Sequence, residues 1–267
     1  MTEENEKSID LEIRRKLDKQ RMKIKDEDLI ETVEEVFDTL TLNSLYKIMR
    51  ATGIRKLYGV VSTGKESRVY RGVDWKNREY AVKIYLTFTR EFKKSIWKYI
   101  YGDPRFETES PSTTRKLMSL WAKKEYNNLK RMYSKGIRVP IPYAQRDNIV
   151  VMEFIGKNGK RAPLLREIEL DKSEAKKIYK KIVENIEKMV CKARLVHADL
   201  SEYNIMVYEN QPVIIDVSQA VLIEHPNSME FLEKDIRNIV VFFKKRYGIP
   251  PPEDKLEMIK ECQRTSI

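Results

Sequence analysis

A chain of 267 residues is long enough to bury a sizeable core, as one domain or two closely joined lobes, and its 41% hydrophobic and 9% aromatic content argues for a folded chain. No window approaches the run of about eighteen apolar residues that a membrane span needs, and the acidic, polar MTEENEKSID start lacks the apolar stretch of a signal peptide. The surplus of 52 Lys+Arg over 41 Asp+Glu, a net charge of +11, suits a polyanionic partner such as RNA, a bound nucleotide, or simply a solvated surface on a chain that is 35% charged. Two cysteines, Cys191 and Cys262, predict no disulfide framework and fit a reducing, cytoplasmic setting.

Residues 8–52 read as helical: in DEDLIETVEEVFDTL, Leu29, Val33, Val36, Phe37 and Leu40 recur at helical spacing, and Gly53 closes a further short helix. Residues 1–52 are therefore expected to form a small helical extension. From Lys56 the texture changes. KLYGVV, SRVYRGV and EYAVKIYL, rich in β-branched and aromatic residues, predict three consecutive antiparallel strands. A polar, serine- and threonine-containing stretch from Thr87 to Arg115 reads as a long loop or partly ordered insertion, and a helix follows from about Lys116 to Ser134, stopped by Gly136. PYAQRDNIVVMEFIG predicts a hairpin turning at Asp147-Asn148 and ending in a linker. Three helices remain, at Ser173 to Lys192, Ser228 to Arg246 and Glu253 to Gln263. Strands first and helices later make an α+β chain with two lobes around a cleft, about 53–154 and 157–267 within a unit of 53–267.

Lys83 sits mid-strand, where period-2 alternation puts Tyr80, Val82, Ile84 and Leu86 on one face and Lys83 with Ala81 and Tyr85 on the other. Such a lysine is either solvated or a buried cation with a partner. Glu125 supplies the partner. It falls between Trp121 and Leu129 on the apolar stripe that also carries Leu117 and Met132, and a carboxylate facing the core is costly unless it meets a cation. The alternative is a glutamate at the edge of the stripe, reaching water. Ser62, Thr63, Gly64, Lys65, Glu66 and Ser67 join the first two strands; with one glycine they form neither a GxGxxG loop nor a Walker A loop, yet small residues in such a turn can approach a triphosphate through backbone N–H groups and hydroxyls. An ordinary hairpin turn would look similar. Glu153 and Ile155, where the lobes join, could offer backbone groups to an adenine edge, with Met152 and Phe154 in apolar contact.

The sharpest signal is LVHADLSEYNIMV followed by IIDVS, which sets Asp199, Asn204 and Asp216 in order. Transfer of a γ-phosphoryl group in protein-kinase fashion needs one carboxylate at the attacking hydroxyl and an amide with a second carboxylate holding magnesium. Asp199 takes the first role, Asn204 and Asp216 the second. His197 reads as a structural hydrogen-bonding residue rather than a base. Each Asp alone could be a turn or cap residue; the ordered set, following a strand lysine and a helix glutamate, is hard to obtain by chance. The run has Ala198 where an arginine would pair with a phosphorylated activation segment, and only about a dozen residues separate Asp216 from the helix near Ser228, with no APE run. A peptide-docking platform is not expected.

With these residues assembled, the sequence resembles the RIO family of atypical protein kinases. The matching runs are STGKESRVY, AVKIY, YGDPRF, KEYNNLKR, VPIPY, MEFIG, LVHADLSEYN and IIDVSQAV, spanning roughly residues 45 to 250, and LVHADLSEYN is highly specific to that family. STGKE and YGDPRF look like its first subfamily in an archaeal-type short form, and the amino-terminal part is too short for the winged helix of the second. The resemblance implies a bilobal kinase fold, ATP with Mg²⁺ or Mn²⁺, serine autophosphorylation, and work on the precursor of the small ribosomal subunit, with its rRNA and proteins, rather than on DNA or a membrane. It implies Asp199 as the catalytic carboxylate, Asn204 and Asp216 as metal ligands, Lys83 as the phosphate-binding lysine, and Asp216 as the site of an aspartyl-phosphate during ATP hydrolysis. Ser218 stands where family members usually carry a glycine. Ser110, in TESPSTT, is the candidate for autophosphorylation. Competing readings are an ATPase switch on pre-ribosomal particles, an RNA-gripping nucleotide-binding scaffold, and a small-molecule phosphotransferase of the aminoglycoside or choline kinase type. The last would need a substrate-binding insertion between Glu169 and Ala193, where the sequence predicts one helix.

Overall fold

The computed structural model describes residues 38–64, 66–86, 90–106 and 111–264. Helix α1 (Thr39–Thr52) begins at Asp38, whose carboxylate accepts from Thr41 N at 2.7 Å, and ends at Gly53, left-handed at φ 74°. Strands β1 (Ile54–Thr63), β2 (Ser67–Asp74), β3 (Glu79–Tyr85), β4 (Pro142–Arg146) and β5 (Ile149–Glu153) form one antiparallel sheet in the order β1-β2-β3-β5-β4. The β4–β5 hairpin turns at Asp147-Asn148, as its sequence predicts.

The sheet is covered on both faces, which decides the character of β3. Tyr80, Val82 and Ile84 pack with Leu45, Ile48 and Met49 of α1, while Ala81, Tyr85, Val150 and Met152 belong to the core built with helix α3 (Thr114–Ser134). Six of the seven residues of β3 are buried, so Lys83 cannot be a solvated strand lysine. The amino-terminal segment's last helix is thus part of the sheet's own core. Its earlier residues, including the run Leu29 to Phe37, lie outside the described residues.

The stretch Thr87 to Arg115, expected as a long loop or partly ordered insertion, contains helix α2 (Arg90–Ile100). Its turns are interrupted by charged residues, but Ile96, Tyr99 and Ile100 recur at helical spacing and are buried beside Trp121 and Phe231. Ser110 lies outside the described residues.

The second lobe follows the linker. It holds short β6 (Gly156–Lys157) and β7 (Lys160–Arg161), helix α4 (Lys172–Glu187) with a π-helical turn Lys188–Lys192, and β8 (Leu195–Val196). Next come the hairpin β9 (Ile205–Tyr208) and β10 (Gln211–Ile214), a 3₁₀ turn Val217–Gln219, and β11 (Val221–Leu222). Helices α5 (Ser228–Tyr247) and α6 (Glu253–Arg264) complete it. Only α4 and its terminal turn occupy Glu169 to Ala193, with no inserted substrate-binding element there. Asp171 opens α4 with a capping box to Glu174.

Contrary to the expectation of no disulfide framework, Cys191 and Cys262 are joined in a disulfide, with Cα atoms 5.3 Å apart. The two cysteines are 71 residues apart, and only the return of α6 onto the π-helical turn brings them together. No helix among the described residues is long and apolar enough to cross a membrane.

Candidate functional site

The cleft between sheet and helical lobe, about 160 Å³, is walled by Ser62, Gly64, Ser67, Ala81, Lys83, Glu125, Met152, Glu153, Ile155, Met206 and Asp216. The β1–β2 turn roofs it. Gly64 N donates to Ser67 O at 2.9 Å, closing a tight turn whose Ser62, Thr63 and Gly64 are exposed. Thr63 and Glu66 are not on the cleft wall; Glu66 O instead accepts from Leu86 N at 2.9 Å, and Lys65 lies outside the described residues.

At the back of the cleft Lys83 Nζ donates to Glu125 Oε1 at 2.8 Å and to Asp216 Oδ1 at 2.9 Å. The pair expected from strand and helix periodicity therefore forms, with Asp216 as a second carboxylate. Burial alone would push the Lys83 ammonium down, but the Asp216 and Glu125 charges outweigh it and hold its pKa well above the ordinary value. Burial pushes the Glu125 carboxyl up against the pull of Lys83, whereas Lys83 holds the half-exposed Asp216 below the usual range despite the crowding around it. Tyr85 Oη donates to Glu125 Oε2 at 2.6 Å, so both oxygens of the buried glutamate are bonded. Two carboxylates share one ammonium, which leaves negative potential at the cleft floor.

Asp216 stands at the end of β10 in a left-handed conformation, φ 56°, ψ 57°. A non-glycine residue held there costs on the order of 1 kcal/mol or more, and such strain concentrates where geometry is imposed by function. Ser218 does not need the freedom of the glycine it replaces, since it is not at positive φ; its hydroxyl donates to Asp216 Oδ1 at 3.1 Å.

Asp199 opens onto an adjoining groove that also carries Ser201, Tyr203, Arg237 and Asn238. Asn204 Nδ2 donates to the Asp199 carbonyl at 2.8 Å, which orients the amide and keeps its oxygen for another partner. Gln219 Nε2 reaches Asp199 Oδ2 at 3.4 Å, and Lys234 Nζ lies 3.9 Å from Oδ1. Burial raises the Asp199 carboxyl above its ordinary pKa, against the opposing pull of Lys234. His197 is buried, depressed in pKa by desolvation, and bonds Ile215 O through Nε2 at 3.1 Å. Neutral and turned toward backbone, it is a structural residue rather than a base.

The amide oxygen of Asn204 and the Asp216 carboxylate form a hard-oxygen donor set that suits a magnesium-like cation. No group of three His, Cys, Asp or Glu that could hold a metal occurs among the described residues. Such a site needs further oxygens from a phosphate-bearing substrate, as Mg²⁺ sites in phosphoryl transfer commonly do.

At the linker, Glu153 turns its side chain out to Arg138, at 2.6 and 2.8 Å, and Ile155 O accepts from Ala162 N at 2.8 Å. Only the remaining backbone groups there can serve a ligand. A residue not singled out in the sequence is Asp235, which accepts from Ala198 N at 2.8 Å and Leu200 N at 2.7 Å and so anchors the run around Asp199 from α5. Its signal was present: Asp235 shares the inward face of α5 with Phe231, Leu232, Ile236 and Ile239, as Glu125 shares that of α3.

Residues 68–256 match the RIO domain model. The chain belongs to the RIO family. The RIO-type serine/threonine-protein kinase Rio1 of Haloferax volcanii is 36% identical over 242 residues, covering 91% of this chain and 81% of that protein. The Rio1 of Methanocaldococcus jannaschii is 37% identical over 248 residues, covering 92% and 82%. Against the serine/threonine-protein kinase rio1 of Dictyostelium discoideum, identity is 40% over 236 residues, which is 88% of this chain but 41% of the relative. The chain thus spans less than half of that longer protein. Among solved structures, the Rio2 kinase-ADP/Mg²⁺-phosphoaspartate complex of Chaetomium thermophilum has a TM-score of 0.62 at 22% identity, covering 84% of this chain and 69% of that one. That likeness establishes the kinase-like α+β fold of the RIO chain.

Proposed function

We propose that this RIO protein is an atypical serine/threonine kinase and ATPase that binds ATP with Mg²⁺ (or Mn²⁺) in the cleft. The observation that carries this is the bonded chain Glu125–Lys83–Asp216, at 2.8 and 2.9 Å, on the floor of the cleft, with Asn204 bonded to Asp199 in the run that precedes Asp216. Ser62, Gly64 and Ser67 would cover the phosphates, and the free backbone groups at Glu153 and Ile155 would meet the adenine beside Met152. Lys83, aligned by Glu125, would hold the α- and β-phosphates. Asp199 orients a serine hydroxyl or a water and accepts its proton; its raised pKa brings it closer to that task. A magnesium ion bound between Asn204 and Asp216 would neutralise charge on the transferring phosphoryl group.

A second course is favoured by Asp216 itself. Lys83 and Ser218 both occupy Oδ1, while the side chain is half exposed to the cleft, so Oδ2 is the oxygen available to attack the γ-phosphorus. Attack there would release ADP and leave an aspartyl-phosphate that water then hydrolyses. The Chaetomium Rio2 structure contains a phosphoaspartate, which supports the same chemistry in this chain.

The partner we propose is the precursor of the small ribosomal subunit, in keeping with the family and with the +11 charge that favours a polyanion. In this reading, the protein acts in the cytoplasm, hydrolysis releases it from the particle, and its kinase activity falls mainly on itself. The test is ATP turnover and phosphate incorporation by wild type and Asp199→Ala, with and without small ribosomal subunits. Turnover that rises with subunits and is lost in the variant supports the proposal; no turnover under any condition would sink it.

A further inference from the structure

Two buried side chains of α3 do something that Glu125, beside them, does not. Lys124 and Asn128, one helical turn apart and both fully buried, reach the backbone of the turn that follows Asp216. Lys124 Nζ donates to Ser218 O at 3.1 Å and to Ala220 O. Asn128 Nδ2 donates to Val217 O at 2.7 Å and to Ala220 O at 3.0 Å. Three carbonyls of one short turn are therefore gripped by two side chains of one helix.

The grip has its own support. Asn128 Oδ1 accepts from Arg105 Nη1 at 2.7 Å, which fixes the amide with its nitrogen toward the turn. Arg105 is in turn held by the buried Asp103, at 2.9 and 2.6 Å. The run YGDPRF, which carries no part of the proposed phosphoryl-transfer chemistry, meets KEYNNLKR, the run that holds Glu125, in this cluster.

The choice of residues is expensive for a merely structural role. A buried lysine loses its hydration, and Lys124 has carbonyl oxygens and the faces of Trp121 and Phe106 around it rather than a bonded carboxylate. Burial and the Arg105 charge both push its pKa well down. An apolar residue of similar length would fill the same volume without that cost. What it would lack is the hold on the turn, and the residue at the head of that turn is Asp216, in a left-handed conformation its neighbours must impose.

We propose that Lys124 and Asn128 are positioning residues that clamp the Val217–Ala220 turn to α3, so that Asp216 and the Lys83–Glu125 pair keep one fixed geometry. The proposal rests on the kinase reading for its functional consequence. α3 carries Glu125 toward Lys83 and, through the clamp, the backbone that aims Asp216. The two halves of the phosphate site then move together or not at all.

Lys124→Met keeps length and apolar bulk while removing the donor; Lys124→Gln restores a donor. For Lys124→Met we expect kcat to fall at least tenfold and the Mg²⁺ concentration for half-maximal turnover to rise at least tenfold. Metal-free binding of a fluorescent ADP analogue should stay within twofold, and Lys124→Gln should recover part of the loss. Amide exchange at Val217 to Val221 should accelerate in Lys124→Met by tenfold or more. Asn128→Ala is read in the same way should Lys124→Met fail to fold. A variant with wild-type kcat, metal dependence and amide protection overturns the proposal, as does a loss of kcat with amide protection unchanged. If wild type itself shows no turnover, the kinase reading fails, while the exchange arm still decides the clamp.

Discussion

Two turns face the cleft, and they are built in opposite ways. In the β1–β2 turn Ser62, Thr63 and Gly64 are exposed, and the bonds described there are backbone ones, Gly64 N to Ser67 O and Leu86 N to Glu66 O. The turn after Asp216 is buried at Val217, Ser218 and Ala220 and tied to α3 by four side-chain bonds from Lys124 and Asn128. Turns with few buried contacts open at low free energy, and turns held by satisfied buried networks do not. The protein thus presents a pliant turn above a fixed carboxylate, and under the proposed function that turn is the cover for the phosphates. A site of that kind would admit and release nucleotide by moving the cover alone.

The largest effect should come from breaking the fixed side at its centre. Lys83→Met removes the cation from two carboxylates and leaves Glu125 buried with only Tyr85. We expect a loss of about 10²- to 10³-fold in kcat. Stability should drop by about 3–5 kcal/mol, because a buried charge loses its partner. Urea unfolding and steady-state turnover read both. If stability is unchanged, the glutamate is not buried as a charge.

The Cys191–Cys262 link bears on the lobe that frames this fixed side. Closing a loop of 71 residues should contribute about 4 kcal/mol through the unfolded chain, so Cys262→Ser should lower the unfolding midpoint in the absence of reductant. A thiol count of two in the unreduced protein would contradict the link.

Asp235 ties the stability of the helical lobe to pH. Burial raises its carboxyl from 3.8 to about 7, against two backbone N–H donors. Between those values the unfolded chain has released the proton while the native one retains it. Stability from this group is thus full in acid and declines as pH rises toward 7, by up to about 1.4 kcal/mol per pH unit. Chemical denaturation at pH 5 and pH 7 should show this slope in wild type and not in Asp235→Asn.

The smallest effect belongs to the pliant turn. A Cβ at Gly64 would meet Ser67 O at 3.4 Å, an ordinary contact, and no left-handed φ demands glycine there. Gly64→Ala should change stability by less than about 0.5 kcal/mol and leave kcat near wild type, with any change confined to KM for ATP. A large kcat loss would mean that the cover, too, is rigid.

How much of this could be read from the chain varies with the kind of signal. The Lys83–Glu125 pair was legible because two periodicities, 2 in β3 and 3.6 in α3, aimed both residues inward. The order Asp199, Asn204, Asp216 was legible because the chemistry fixes both residue type and sequence. Lys124 was not. It stands next to exposed Lys123, and nothing local distinguishes the buried lysine from the solvated one. Helix α2 was hidden because its buried face is confined to a few residues among polar ones. The disulfide was hidden because it depends on how α6 returns to the lobe, a tertiary fact with no local trace.

Asp216 is the residue on which the proposed chemistry turns. With [γ-³²P]ATP and Mg²⁺, wild type should turn over ATP and carry protein-bound phosphate that hydroxylamine removes, and Asp216→Asn should lose both while still binding ADP. Turnover and labelling by Asp216→Asn at the wild-type level would contradict it.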